Sequence, residues 1–494
     1  MEKESLPQLN VEDIRRAAGA VMTPGHREGK FLGVSTDSRH IEKGNLFVAL
    51  VGEHFDGHDF LKTAVTAGAA GLVIQRDREG KANSLPADVT VLRVEDTLKA
   101  LGDIAHYWRT KFKVPVVAIT GSSGKTTTKE MVATVLGQTK AVLKNEGNLN
   151  NRIGLPLTLF RLHARHEAVV LEMGTNRRGE IRRLTEIAEP GIGIITNVGA
   201  AHLEGLKSLE MIREEKGDLF DTMAGQGVAV INIDDPNLSP WEERWAGQKV
   251  TFGIRRPADV YAEHITHEGE KGTIFTLVMG KTSREITMAT IGTHNVYNAL
   301  AAAAAARSCG VPFDKICRGL MAFKPVSGRM EVHRLKNGAF LINDAYNANP
   351  ASVGEALKTL RELRGESRSV VVLGDMLELG DQSEKLHEDI GRMIGETGVN
   401  KVFLRGQFAR AVAQGAMKKG LQGDRIHFDL SPVEITESLK RGLREGDWVL
   451  VKGSRRMKME EVVQEIIQKI GLENRKTPVV GLRIALEPGG GRKS

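Results

Sequence analysis

Residues 114–136 read VPVVAITGSSGKTTTKEMVATVL, and the rest of the chain is arranged around them. A β-branched run (Val114, Val116, Val117, Ile119) stops at Gly121-Ser122-Ser123-Gly124. A helical pattern then opens at Lys125, with Met131, Val132, Val135 and Leu136 on one face. Strand, glycine turn and a helix that begins Lys-Thr are the parts of a phosphate cradle. Loop N–H groups and the positive end of the helix dipole attract an anion, Lys125 reaches the outer phosphates, and Thr126 offers a hydroxyl to Mg²⁺. The spacing departs from G-x-x-x-x-G-K-[ST], because Ile119 stands where the first glycine belongs; what remains is G-x-x-G-K-T, with Gly121 first. The alternative, a glycine turn with a surface lysine, is disfavoured by the strand-to-helix context. The stretch predicts a site for ATP or GTP.

At 494 residues the chain is long enough for about three domains, each with its own core. Its composition is that of a soluble globular protein, 41% hydrophobic and 27% charged, without an apolar run long enough to span a bilayer. Residues 1–10 are charged and lack the apolar segment of a signal peptide. Two cysteines, Cys309 and Cys317, exclude a disulfide framework and a thiolate cluster, which fits a reducing cytoplasm. The net charge of +7 would suit a polyanion, but the basic residues are interspersed with acidic ones and no nucleic-acid module is visible. Anionic small molecules suffice as partners, and a cytoplasmic monomer is expected.

The expected fold is α/β in three domains. Residues 1–112 read as a small unit, with helices at 11–20, 60–69 and 97–112 and strands at 44–50 and 71–74. Within it, STDSR (35–39) and Asp56-Gly57-His58 read as turns. Residues 113–326 form a central P-loop ATPase-like unit whose strands at 168–173, 192–198 and 227–233 are apolar on both faces, as in a mostly parallel sheet. Ligands bind beyond the carboxyl ends of such strands, where Glu172, Asn197, Asn232, Asp234 and Asp235 gather. Glu172 is nearly internal to an apolar run, a costly place for a carboxylate unless it is paired or bound to metal, and a metal or substrate role is the favoured reading. His202 follows in a loop on the same rim. Lys216, in IREEKGDLF, reads by pattern alone as part of a solvated helical face. Asn295 and Asn298 open an alanine helix as caps or as hydrogen-bonding partners of a base. Residues 327–470 restart the alternation as a Rossmann-like, doubly wound domain, with strands at 340–343, 370–373, 401–404, 426–428 and 448–451 and helices at 351–363, 384–394, 407–418, 432–443 and 459–470. The segment 471–494 reads as a disordered tail.

These residues together resemble the Mur ligases, ATP-dependent amino-acid ligases of bacterial cell-wall synthesis. TGSSGKTTTKE is similar to their ATP site, while STDSR and GNLFVAL resemble a uridine-nucleotide domain. INDAYNANPAS (342–352), LGDMLELG (373–380) and VLVKGSRRMKME (449–460) resemble the member that adds D-Ala-D-Ala to UDP-N-acetylmuramoyl-tripeptide, with Ala345 where the family usually has Ser. The resemblance implies that residues Gly121, Ser122, Ser123, Gly124, Lys125, Thr126 and Thr127 cradle ATP. It implies two Mg²⁺ ions served by Thr126, Glu172, His202 and a Lys216 carbamylated by CO₂. Asn295 would meet the adenine, and Arg329 and Asp344 would reach ATP from the third domain. Ser38 and Arg39 would lie near the uridine diphosphate, and Tyr346, Asn347, Asn349 and Arg455 near the peptide ends. A sibling ligase, a P-loop switch and a non-catalytic scaffold are the rival readings. The first is disfavoured by the third-domain motifs, and the second by that domain's polar strand ends. The scaffold accounts poorly for Lys125, Glu172 and Asp344 together.

Overall fold

A computed structural model describes residues 7–23, 29–201 and 203–473. Three α/β sheets follow one another along the chain, as expected. The first has five strands, in the order Val21–Met22, Thr90–Val94, Gly71–Gln75, Leu46–Val48 and Val34–Ser35, parallel except for the first pair. Asp37 and Asp56 cap short 3-10 turns there, accepting from the N–H groups of Arg39 and His58, so both polar motifs are turn chemistry.

The central sheet has nine strands, and Val116–Thr120 lies between Ile192–Ile195 and Ala168–Glu172. Successive residues point to opposite faces. Val116, Ala118, Val169 and Leu171 join one apolar core, while Val117, Ile119, Val170 and Ile194 join another under the phosphate-loop helix Lys125–Leu136 and the alanine helix Thr293–Ser308. Burial on both sides explains why these strands read as continuous apolar runs. Five further strands escape that reading: the short Val142–Lys144 at one edge, then Gln248–Gly253, Val260–His267, Thr273–Met279 and Thr282–Met288. Their exposed positions are polar, and the last two run antiparallel at the sheet's edge.

The third sheet runs Glu331–Arg334, Phe340–Asp344, Trp448–Lys452, Ser369–Gly374, Lys401–Arg405, Ile426–Phe428, parallel apart from its first strand. Separate apolar clusters cover its two faces, the doubly wound arrangement. Two predicted boundaries move for local reasons. The helix expected from 407 begins at Ala409, because Asp375 accepts the N–H groups of Gln407 and Phe408 at 2.7 and 3.1 Å. Of the expected tail, Gly471 and Glu473 pair with Lys336 and Arg334 through their backbones, so the chain is still ordered there; the remainder lies outside the described residues. Among the described residues, no helix is long and apolar enough to cross a membrane.

Candidate active site

The glycine turn is shaped by what crowds it. Gly121 has φ +149°, and a Cβ there would sit 1.9 Å from Thr196 Oγ1; Gly124 has φ +78°, and its Cβ would meet Asn298 Oδ1 at 2.4 Å. Both positions therefore demand glycine. Two N–H groups of the turn already have partners in this structure. The N–H groups of Ser122 and Ser123 are taken by the carbonyl and side-chain oxygens of Asn197, at 2.9 and 3.0 Å. Thr196 Oγ1 donates to Ser123 O at 2.6 Å. These duties end the preceding strand at Ile195 rather than at 198. Residues 122–127 line a cavity of about 1140 Å³, and the first N–H groups of a helix lack intrahelical partners and can face an anion. Gly121 lies beneath the turn and is not part of the lining.

Lys125 folds back in this structure, its Nζ donating to Gly121 O at 2.8 Å. Burial pushes its pKa down, and Arg329 adds to the effect while Glu172 opposes it. Glu172 is 4% exposed; Asn150 Nδ2 donates to its Oε1 at 2.9 Å, whereas Oε2 is buried without a hydrogen-bond partner. A buried carboxylate oxygen left over, in a cavity that Thr126 also lines, is the hard-oxygen chemistry that suits Mg²⁺. Among the described residues no three His, Cys, Asp or Glu side chains make a preformed metal cluster. Such a site would draw its remaining ligands from phosphate and water, as Mg²⁺ sites commonly do.

Lys216 overturns the reading of its pattern as a solvated face, since it is only 1% exposed. Burial, then repulsion from Lys125, push its pKa well down, with Glu215 opposing. Its neighbour Glu215 is equally buried and receives Thr175 Oγ1 and the N–H groups of Gly179 and Ile181. The helix Leu209–Met223 thus turns its acidic and basic centre inward. His202 lies outside the described residues.

The third domain closes the cavity from the other side. Arg329 Nη2 donates to Thr126 Oγ1 at 2.9 Å, and its guanidinium lies 4.2 Å from the centre of the Tyr346 ring. Arg455 approaches the same ring at 5.5 Å. Asp344 pairs with buried Lys452 and accepts from Met330 N–H at 3.1 Å, so one carboxylate anchors the segment that carries Arg329. Asn349 caps the helix Pro350–Arg364 through Ser352 N–H at 2.8 Å, and its Nδ2 lies 3.4 Å from Ser122 O. Asn347 receives Arg455 N–H at 3.3 Å. Arg329, Asp344, Tyr346, Asn347, Asn349 and Arg455 all line the cavity with the loop, Glu172 and Asn295.

Asn295 is held at both ends, donating to Ile291 O and accepting from Asn298, which leaves one amide hydrogen and one acceptor site of its side chain unused. Beside it, Asp234 accepts three backbone N–H groups (residues 254–256) and the Tyr297 hydroxyl, fixing a wall that sequence reasoning had seen only as polar strand ends. Lining residues missed altogether include Asn148, Asn150 and Thr175, while Glu378 joins the lining from the LGDMLELG segment. The asparagine-rich run 145–151 was the available signal for the first two. Ser38 and Arg39 stand apart from this cavity in the first domain. The Arg39 side chain is 80% exposed and grips Asp37 with Nε and Nη2 at 2.9 and 2.7 Å, which holds the Asp37 carboxyl well below the usual range.

The chain matches the Mur ligase family, catalytic domain, over residues 30–109, the Mur ligase middle domain over 119–306, and the Mur ligase glutamate ligase domain over 328–455. It is 36% identical over 450 residues to the UDP-N-acetylmuramoyl-tripeptide–D-alanyl-D-alanine ligase of Bacillus subtilis, covering 91% of this chain and 96% of that one. A crystal structure of MurF from Acinetobacter baumannii superposes with a TM-score of 0.85 at 31% identity, covering 94% of this chain and all of the other. The MurF ligase of Thermotoga maritima in complex with ADP does so with a TM-score of 0.79 at 28% identity, covering 88% and 97%. With relatives matched over almost their full length and three family domains matched in order along it, the chain belongs to the Mur ligase family.

Proposed function

We propose that this protein is an ATP-dependent ligase that joins D-Ala-D-Ala to UDP-N-acetylmuramoyl-tripeptide, giving the pentapeptide, ADP and phosphate in peptidoglycan precursor synthesis. The observation that carries it is one cavity with two owners: the phosphate loop on the central sheet, and Arg329, Asp344 and Tyr346 on the third. In this reading residues 1–112 hold the uridine nucleotide through the surface around Ser38 and Arg39. Residues 113–326 hold ATP, and 327–470 bring the dipeptide through Tyr346, Asn347, Asn349 and Arg455.

A carboxylate and an ammonium do not condense usefully in water, so the carboxylate must be activated. A tripeptide carboxylate oxygen attacks the γ-phosphorus of ATP, the bond to ADP breaks, and an acyl phosphate forms. The neutral amine of the dipeptide then attacks the acyl carbon, loses a proton, and phosphate leaves. The chain's task is positioning and neutralisation. N–H groups of residues 124–127 orient the phosphates, while Lys125 and Arg329 offset the repulsion between phosphoryl and carboxylate oxygens from two sides. Asn295 and Asn298 brace the loop from the alanine helix. The third domain covers the reacting groups and keeps water from the acyl phosphate. Glu172 Oε2 and the Thr126 hydroxyl would hold Mg²⁺, with His202 and Lys216 serving a second ion, and bound metal would neutralise charge on the transferred phosphoryl group. The depressed pKa of Lys216 favours the neutral amine. That nitrogen can bond to the carbon of CO₂ and release a proton, which turns a cation into a carboxylate-like oxygen donor. In this reading, dependence on ATP and a nucleotide-linked substrate fits an enzyme of the cytoplasm, working as a monomer.

The test is direct. Protein, ATP, Mg²⁺ and D-Ala-D-Ala are incubated with the diaminopimelate or the lysine form of the nucleotide tripeptide. A pentapeptide mass with matching ADP release is expected, and ADP release without any pentapeptide would refute the reading.

A further inference from the structure

Glu172 sits in a frame that the chemistry above does not use. Backbone pairing between Val142–Lys144 and Ala168–Glu172 ends at Lys144 opposite Val170. One residue further on, the side chain of Asn145 takes over the ladder. Its Oδ1 accepts from Glu172 N–H at 2.9 Å, and its Nδ2 donates to Glu172 O at 3.0 Å. The second amide hydrogen goes to Leu149 O at 2.9 Å, closing the loop that leads to Asn150. Asn145 is 1% exposed, with both amide hydrogens and its side-chain oxygen engaged. Its main-chain carbonyl in turn accepts from Lys129 Nζ at 2.7 Å.

Lys129 is the unusual member. It lies one turn after Lys125 on the phosphate-loop helix, is 1% exposed, and has Glu130 Oε1 at 3.0 Å as counter-charge. An ammonium is costly to bury, and apolar side chains of similar volume often replace such pairs without loss of stability. What this one does is join two parts of the site. The helix that presents the phosphate cradle is tied through Lys129 to Asn145, and through Asn145 to the main chain of Glu172. Asn150 then occupies Oε1, leaving Oε2 as the carboxylate oxygen without a protein partner.

We propose that Lys129 and Asn145 are positioning residues that lock the Glu172 carboxylate in register with the phosphate loop, so that a cation is held at a fixed place relative to the nucleotide. This rests on the reading that Glu172 holds the metal. Losing the supports of a metal ligand typically weakens metal binding about 10- to 100-fold.

The experiment uses the full chain with ADP, and Mn²⁺ as a spin probe counted by electron paramagnetic resonance. Wild type is compared with Glu172→Gln, Asn145→Ala, Asn145→Ser and Lys129→Met, with ADP affinity measured separately in EDTA. We expect Glu172→Gln and the Asn145 variants to weaken Mn²⁺ binding at least tenfold and Lys129→Met several-fold, with metal-free ADP affinity within twofold of wild type. Where Asn145→Ala does not fold, Asn145→Ser and Lys129→Met carry the comparison. Unchanged Mn²⁺ binding in Glu172→Gln would sink the metal assignment itself. Weakening in Glu172→Gln alone would overturn only the positioning roles, as would an equal loss of ADP affinity in EDTA, the mark of a general structural part.

Discussion

Replacing Gly124 by alanine tests whether the loop's shape is imposed by the alanine helix. The residue has φ +78°, a region that costs a non-glycine residue about 1–2 kcal/mol. The new Cβ would meet three atoms, all from Asn298: Oδ1 at 2.4 Å, Cγ at 3.2 Å and Nδ2 at 3.4 Å. Asn298 cannot step aside easily, because it donates to Asn295 at 3.0 Å and accepts from Thr128 at 3.2 Å on a helix packed with buried alanines. Overpacking of this kind costs about 1–3 kcal/mol. The loop relieves the strain by moving in the free protein and must be returned to shape around the phosphates. The total, about 2–5 kcal/mol, therefore weakens ADP binding roughly 30- to 4000-fold in calorimetric titration. In an Asn298→Ala background all three contacting atoms are gone and only the backbone cost remains, so the same substitution weakens binding about 5- to 30-fold. Equal effects in both backgrounds, to within about 0.5 kcal/mol, would show that Asn298 does not shape the loop.

Three further outcomes follow from contacts already described. Gly217→Ala puts a Cβ 1.8 Å from Trp241 Cζ2, beside Lys216; overpacking of about 1–3 kcal/mol should lower the calorimetric midpoint by roughly 2–12 °C, and an unshifted midpoint counts against the packing. Lys216→Met removes an amine whose folded-state pKa lies below its unfolded value, so wild type binds fewer protons when folded and gains stability as pH rises between the two. In CO₂-depleted buffer the variant's advantage in chemical denaturation should be greatest at the low-pH end and shrink towards the unfolded pKa, about 10.4; an advantage that grows with pH contradicts the assignment. Arg329→Met removes a charge-assisted hydrogen bond worth about 1.5–3 kcal/mol and should reduce kcat/KM for ATP about 10- to 150-fold. A loss below threefold would mean that the third domain does not act on the nucleotide.

The fold was legible where strands are buried on both faces. Val116–Thr120, Ala168–Glu172 and Val228–Asn232 are fully buried, so their apolar runs carry the signal directly. It faded where one face meets solvent: Thr282–Met288 is exposed at five of its seven positions, and Glu331–Arg334 is half-buried throughout. Charge pattern misled at Lys216 because the two glutamates that precede it are not alike. Glu215 is buried on the backbone of a facing helix, whereas Glu214 pairs with Arg178 at the surface. Sequence records that a residue is charged, not which side of the helix the core lies on.

The site divides along the same line. Gly121, Gly124, Lys125 and Thr126 announce a phosphate cradle because everything that defines it lies within six consecutive residues. The groups that set its dimensions do not. Asn145 acts on Glu172 from 27 residues away, Asn197 on Ser123 from 74, Asn298 on Thr128 from 170, and Arg329 on Thr126 from 203. Each is an amide or guanidinium whose type fits many surface positions, so only the fold reveals its work. Yet these distant groups decide which loop N–H groups remain for an anion, which oxygen of Glu172 is left over, and how closely the third domain approaches. The cradle says that phosphate can bind; its distant frame determines where the γ-phosphorus stands relative to a carboxylate brought by other domains. A ligase without a nucleophilic side chain depends on that placement, and for this reason substitutions in the frame should lower turnover with little effect on which nucleotide is bound.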